Sequence, residues 1–163
     1  MREKIKRRAD LAAELATRRA NRERIVFTNG CFDLMHVGHV RYLEAARALG
    51  DLLVVGVNSD ESVRALQKGP DRPIVPQDQR AEVLSALACV DYVVLFGEPD
   101  PARLIAELEP DILVKGGDWT PEQIVGRETV EARGGTVRTI PLVPGASTTN
   151  LVDKIRKGVR REK

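Results

Sequence analysis

The run Ile25-Val26-Phe27-Thr28-Asn29-Gly30-Cys31-Phe32-Asp33-Leu34-Met35-His36-Val37-Gly38-His39 decides how this 163-residue chain is read. A short apolar stretch enters a polar turn, and the turn enters a segment with helical spacing. That is the pattern of a buried strand, a tight turn and a helix start. Gly30 permits the turn and a close backbone approach. A helix beginning near residue 37 offers N–H groups without partners and the positive end of its dipole, and both favour an anion. His36 and His39, three apart on a first helical turn, point to one side. Gly38 between them removes a side chain that would crowd a ligand. Such a pair can hydrogen-bond phosphate oxygens and stabilise the charge that builds up in phosphoryl transfer. These are the only two histidines in the chain. No nearby cysteine or histidine completes a zinc set, so phosphate binding outranks half a metal site or incidental placement.

Working outward, the same strand signal returns at Leu52-Leu53-Val54-Val55, Tyr92-Val93-Val94-Leu95, Ile112-Leu113-Val114 and Thr136-Val137-Arg138-Thr139-Ile140. Helical stretches separate these runs, at 37–49, 60–67, 77–88, 101–108 and 121–133, with a last one at 148–157. An earlier helix is expected over 3–21, with Leu11, Ala12, Leu15 and Ala16 on one stripe. Asp100-Pro101 and Thr120-Pro121-Glu122-Gln123 each place a capping side chain before a first-turn proline, the second with a capping-box partner. Apolar strands alternating with helices predict an α/β fold: a Rossmann-like, doubly wound sheet of five parallel strands with helices on both faces. Ligands bind such sheets beyond the carboxyl ends of the strands, where the winding reverses. The loops after the first and fourth strands are therefore the places to look. The expected organisation is an amphipathic helix over 1–23, one domain over 24–157 and a basic tail over 158–163.

Composition narrows the function classes. Residues 1–24 carry nine Lys/Arg against four Asp/Glu, and residues 154–163 carry six against one. Between Ile25 and Asp153 stand 11 basic and 19 acidic residues, so the net +2 conceals an acidic body with basic ends. A nucleic-acid face needs concentrated positive charge, and the body lacks it. The same scarcity makes each body cation a candidate for a specific role. No apolar run is long enough to cross a bilayer, and the charged N-terminus leads into no signal-peptide core, so a cytoplasmic protein without a membrane partner is expected. Cys31 and Cys89 form neither a disulfide framework nor a zinc spacing and read as reduced, packed thiols.

The motif Gly30-x-Phe32-Asp33-x-x-His36-x-Gly38-His39 resembles the signature of the cytidylyltransferase-like nucleotidyltransferases. Gly145-Ala146-Ser147-Thr148-Thr149-Asn150 is similar to their second signature, a Ser/Thr-rich turn before the last helix. The basic residue that usually follows is missing here, because Leu151-Val152 stand in its place and Lys154 and Arg156 are displaced. Thr28 through Asp33, Val57-Asn58-Ser59-Asp60, Lys68 through Ile74, Leu113 through Trp119 and Ile124 through Glu128 narrow the resemblance. Across residues 24–157 they look like the heptose 1-phosphate adenylyltransferases, which occur alone or fused to a sugar kinase domain.

The resemblance implies transfer of AMP from ATP, with Mg²⁺, to D-glycero-D-manno-heptose 1-phosphate for the lipopolysaccharide inner core. It implies catalytic roles for His36, His39 and Lys68. It implies nucleotide contacts from Thr28, Asn29, Gly30, Cys31, Phe32, Gly38, Arg80, Gly145, Ser147, Thr148 and Thr149. Asp33, Arg72, Lys115, Gly116, Asp118, Trp119 and Arg127 would serve the sugar phosphate. A homodimer and a pathway link to a separate heptose kinase are expected from the same likeness. Read from residues alone, several roles stay open. Asp33 is a substrate or metal group or a loop fastener, and Arg80 a nucleotide contact or an exposed helix charge. Ser147 is a phosphate ligand or a plain cap, Trp119 a ligand platform or interface filler, and Arg127 a sugar contact or half of a solvated pair with Glu128. Two other functions fit the same residues: cytidylyl transfer to glycerol 3-phosphate or another small phosphorylated alcohol, and non-catalytic nucleotide binding.

Overall fold

Strand β1 (Ile25–Gly30) sends Ile25 and Phe27 into one apolar core and Val26 into another, and all three are fully buried. This alternation is what a strand covered on both faces requires. The computed structural model describes residues 2–67, 69–117 and 119–158. It adds β2 (Leu52–Asn58), β3 (Tyr92–Phe96), β4 (Ile112–Gly116) and β5 (Thr136–Ile140), all paired in parallel in the order β3-β2-β1-β4-β5. The chain winds outward from β1 to β3, then crosses back to β4 and β5. The reversal lies between the carboxyl ends of β1 and β4, where doubly wound sheets bind ligands.

Helices fill both faces. From α1 (Arg8–Ala20), α5 (Ala102–Leu108) and α6 (Arg127–Ala132), residues Leu11, Leu15, Leu104, Ile105, Leu108 and Val130 pack on one side. From α2 (Val37–Arg47) and α4 (Gln77–Ser85), residues Tyr42, Leu43, Ala46, Ala81 and Leu84 pack on the other. The short α3 (Asp60–Ala65) is capped by the Ser59 hydroxyl, which accepts from the Ser62 N–H at 3.1 Å. The last helix, α7 (Thr148–Lys157), buries none of its residues fully. The five-stranded parallel α/β fold expected from the sequence is the one observed.

Three local expectations change. The first helix starts at Arg8 rather than residue 3, because Ile5 bridges in parallel to Val93 and Lys6 N–H donates to the Val93 carbonyl at 2.9 Å. Of its expected stripe, Leu11 and Leu15 are fully buried, Ala12 packs beside them and Ala16 is exposed. The stretch 121–133 is not one helix but a 3₁₀ turn (Pro121–Gln123) followed by α6. Gly126 breaks it with φ +89°, and a Cβ there would stand 2.5 Å from Ile105 Cδ1. Finally, β5 is an open edge on which Thr136, Arg138 and Thr139 are exposed, while Val137 and Ile140 reach the cores.

Candidate active site

At the carboxyl end of β1 the chain turns through Gly30–Met35 before α2 begins. Phe32 adopts φ +48°, a left-handed conformation rare for a bulky side chain. Its ring lies over Gly30, where a Cβ would come within 3.1 Å of Phe32 Cε2. The same ring also meets His39, with centroids 5.3 Å apart. His36 caps α2, its carbonyl accepting from the N–H groups of His39 and Val40. The His36 and His39 rings stack at 3.9 Å and 23°, so the two imidazoles share one side as their spacing predicts. The role of Gly38 is sharper than the removal of a crowding side chain. A Cβ there would lie 2.9 Å from the His36 ring and 3.1 Å from Ala146 Cβ, so Gly38 lets both the ring and the last loop settle against α2.

The two imidazoles are poised rather than satisfied. Among the described residues neither buried Nδ1 atom has a hydrogen-bond partner, an arrangement that typically costs about 1–3 kcal/mol per group. Burial holds His36 below its ordinary pKa. Burial, and then the neighbouring His36, push His39 down to about 4. Both rings are thus neutral near pH 7. A polyanion arriving beside them would favour their charged forms.

The facing wall is the start of α7. Ser147 Oγ accepts from the Asn150 N–H at 3.0 Å, Asn150 Nδ2 donates to the Gly145 carbonyl at 3.1 Å, and Gly145 sits at φ +75°. Thr148 Oγ1 donates to the Leu34 carbonyl at 3.4 Å, joining this wall to the turn after β1. Between them lies a cavity of about 350 Å³, with His36, Gly145, Ser147, Asn150 and Lys154 on its lining. Its volume lies within the range of small-molecule sites. The sequence reading reached His36, Gly145 and Ser147. It missed Asn150 and left Lys154 without a role. The signal for both was helical spacing, three and seven residues beyond the Ser147 cap on one face of α7.

The remaining expected residues fall into separate places. Thr28 is fully buried and shares a 2.7 Å hydrogen bond with the Tyr42 hydroxyl, which also donates to the Val114 carbonyl. These buried hydrogen bonds fasten β1, α2 and β4, and burial drives the phenol up to about 12. Lys115 Nζ donates to Asn29 Oδ1 at 2.5 Å across the switch point. Gly116 and Gly117 make room for Leu142, which would meet a Cβ at 3.1 and 3.2 Å respectively. Cys31 is partly buried; Thr149 is exposed, and Trp119 is 52% exposed. Arg127 pairs with Glu131 at 2.9 Å and Glu122 at 3.5 Å. Lys68 and Asp118 lie outside the described residues.

Arg80 is neither an exposed helix charge nor, in this conformation, a phosphate ligand. It is fully buried, donating to the carbonyls of Val75 (2.9 Å) and Cys31 (2.5 Å) and to Asp60 Oδ1 (2.7 Å). Arg72 donates to Asp33 Oδ2 at 3.0 Å, and the same carboxylate accepts from the N–H groups of Ile74 and Val75. Burial opposes the Asp33 charge, yet these donors outweigh it and hold the carboxyl below the usual carboxylate range. Arg156 turns outward to Asp71 at 2.6 Å. Among the described residues no group of three or more His, Cys, Asp or Glu is placed to hold a metal. No helix among them is long and apolar enough to cross a membrane.

Residues 27–153 match the family model described as cytidylyltransferase-like. The chain is 56% identical over 159 residues to "Bifunctional protein HldE" of Geotalea uraniireducens, which covers 98% of this chain and 32% of that protein. The protein of the same name from Geobacter sulfurreducens is 54% identical with the same coverage. The chain thus spans about a third of the length of these curated relatives. Among solved structures, a lipopolysaccharide core biosynthesis protein from Thermoplasma volcanium superimposes with a TM-score of 0.60 at 31% identity, over 74% of this chain and 97% of that one. Pantothenate synthetase from Thermus thermophilus, at 21% identity, shares the fold with a TM-score of 0.58, over 86% of this chain and 62% of that one.

Proposed function

The chain belongs to the cytidylyltransferase-like family, and from that premise we propose that it transfers AMP from ATP to D-glycero-D-manno-heptose 1-phosphate. The observation that carries this reading is the stacked His36/His39 pair, whose His36 faces the Ser147 cap of α7 across a cavity beside the start of α2. A phosphate oxygen of the sugar 1-phosphate attacks the α-phosphorus of ATP in line. A new P–O bond forms, the bond between the α-phosphorus and the bridging oxygen breaks, and pyrophosphate leaves with that electron pair, giving ADP-heptose. Catalysis is then mainly positioning and charge stabilisation.

In this scheme His36 and His39 hydrogen-bond the phosphates and stabilise charge as the leaving group departs. The N–H groups at the start of α7, Ser147 and the Lys154 ammonium receive the β- and γ-phosphates. Lys154 takes the place of the basic residue absent after the Ser/Thr-rich turn. Lys115, beside Asn29, is assigned to the sugar phosphate end, and Lys68 to the reacting phosphates. The carboxylate nearest the histidines in sequence, Asp33, is already saturated by its N–H donors. The described residues therefore do not fit a dedicated Mg²⁺ site, and Mg²⁺ is assigned to the triphosphate itself.

The wider reading places the activity in the cytoplasm, in lipopolysaccharide inner-core synthesis, with a heptose kinase activity supplying the acceptor and the chain acting as a homodimer. Support comes from the curated relatives' name, which marks them as bifunctional, and from the neighbour concerned with lipopolysaccharide core biosynthesis. The deciding experiment measures pyrophosphate release with ATP or CTP against a panel of sugar 1-phosphates and glycerol 3-phosphate. Turnover is expected with ATP and the heptose 1-phosphate. Preferential use of CTP would overturn the adenylyl assignment, and binding without turnover would leave a nucleotide-binding domain.

A further inference from the structure

Phe32 is held in its left-handed conformation from both sides. On its N-terminal side the Cys31 carbonyl accepts from Arg80 Nη1 at 2.5 Å. On its C-terminal side the Asp33 carboxylate, 5% exposed, accepts from three donors. Arg72 Nη1 donates to Oδ2 at 3.0 Å, Val75 N–H to Oδ1 at 2.9 Å, and Ile74 N–H to both oxygens at 2.9 and 3.0 Å. The two fastenings meet again at Val75, whose N–H goes to Asp33 and whose carbonyl accepts from Arg80 Nε at 2.9 Å. Turn and strap therefore form a closed ring: Cys31, Phe32, Asp33, Val75, Arg80 and back to Cys31. A bulky residue stays at φ +48° only where its surroundings over-determine it, and this ring does so.

We infer that Asp33 is a positioning residue, which with Arg80 braces Phe32 so that its ring forms the platform under His39. Phe32 is the link in the ring that touches the histidine pair, its centroid 5.3 Å from that of His39. The carboxylate itself is taken up by the strap. Asp33 thus acts on the reaction through Phe32 and His39 rather than through a substrate hydroxyl. Arg72 belongs to the same brace, its guanidinium committed to Asp33. The catalytic consequence rests on the nucleotidyl transfer proposed above, but the brace itself is a property of the ligand-free chain.

The test uses the full chain without ligand. In Asp33→Ala, amide hydrogen exchange at Ile74 and Val75 should lose at least tenfold in protection. The His39 imidazole, followed by NMR titration, should move upward from about 4 as its platform loosens. Asp33→Asn keeps an oxygen for both amides and should restore most of the protection, losing chiefly the Arg72 arm. Kinetically, Asp33→Ala should lower kcat for pyrophosphate release at least tenfold, with the sugar phosphate KM within twofold. Protection within twofold of the unaltered chain, an unmoved His39 titration, or a rise confined to the sugar phosphate KM would each overturn the inference. If Asp33→Ala does not fold, Asp33→Asn and Arg72→Ala each remove one arm. A partial loss of protection in both supports the brace, and no change in either removes it. Failure of the unaltered chain to release pyrophosphate would sink the adenylyl reading and leave the exchange and titration results to judge this one.

Discussion

The two walls of the cavity are built on opposite plans. The wall after β1 is fastened from below: Arg80 and Asp33 tie its turn, and Thr28 with Tyr42 anchors its strand to β4. The wall formed by the last loop and α7 buries no residue fully; it leaves Leu142 64% and Ile155 71% exposed and is joined to the first wall by single contacts such as Thr148 to Leu34. Charged groups taken out of water tolerate little displacement, because losing one partner strands the other. A solvated helix start held by caps can shift at small cost. The histidine pair is therefore the fixed reference of the site and the Ser/Thr-rich turn the adjustable one.

The strongest attempt to break that contrast is Arg80→Ala, which strands the Cys31 and Val75 carbonyls and one Asp60 oxygen. It should cost about 3–5 kcal/mol of unfolding free energy, read from urea denaturation. A loss under about 1 kcal/mol would put the first wall on the same loose footing as the second. Next, His36→Ala should lower kcat by roughly 10²–10³, with ATP binding retained, as for loss of one donor to developing charge. Wild-type turnover would remove His36 from the chemistry.

Acid should sharpen the contrast further. His39 titrates near 4 when folded and near 6.5 when unfolded. Between those values the unfolded chain binds more protons, so stability is full above pH 6.5 and declines as pH falls toward 4. The decline should be roughly 2–3 kcal/mol after allowance for partial exposure of the ring. His36 shifts in the same direction. Thermal unfolding across that window should show the loss, and His39→Gln should flatten it. On the second wall, Ser147→Ala removes a cap and should cost about 1 kcal/mol with a few-fold rise in the ATP KM. The smallest effect belongs to Ile155→Gln, expected within about 0.5 kcal/mol because the side chain is exposed. A larger loss would mean that α7 is covered in solution.

The sequence exposed the first wall's chemistry better than its mechanics. Spacing alone put His36 and His39 side by side, and the apolar runs located all five strands. Yet the residues that fasten the turn were unreadable. Arg80 lies 49 positions from Cys31, and Arg72 lies 39 from Asp33. Local pattern carries no trace of pairings that tertiary packing creates. An arginine on a helix reads as solvated unless its buried acceptors are known. Gly126 shows the same limit at short range: it breaks a helix whose caps and spacing looked continuous, because its left-handed backbone is set against Ile105. On the second wall the Ser147 cap was plain, while the orientation of Lys154 toward the cavity depended on how α7 docks.

The open outer strand β5 carries a consequence for how this chain behaves at high concentration. A parallel edge with free N–H and C=O groups is a template for adding another chain's strand, the first step of aggregation. Here the central residue of that edge is the exposed Arg138, with exposed threonines at positions 136 and 139. An incoming strand would have to strip water from a guanidinium at the middle of the new ladder, which apolar pairing on either side does little to offset. The arginine works as a gatekeeper of solubility, and Arg138→Val would turn residues 136–140 into a β-prone, uncharged run on an exposed edge.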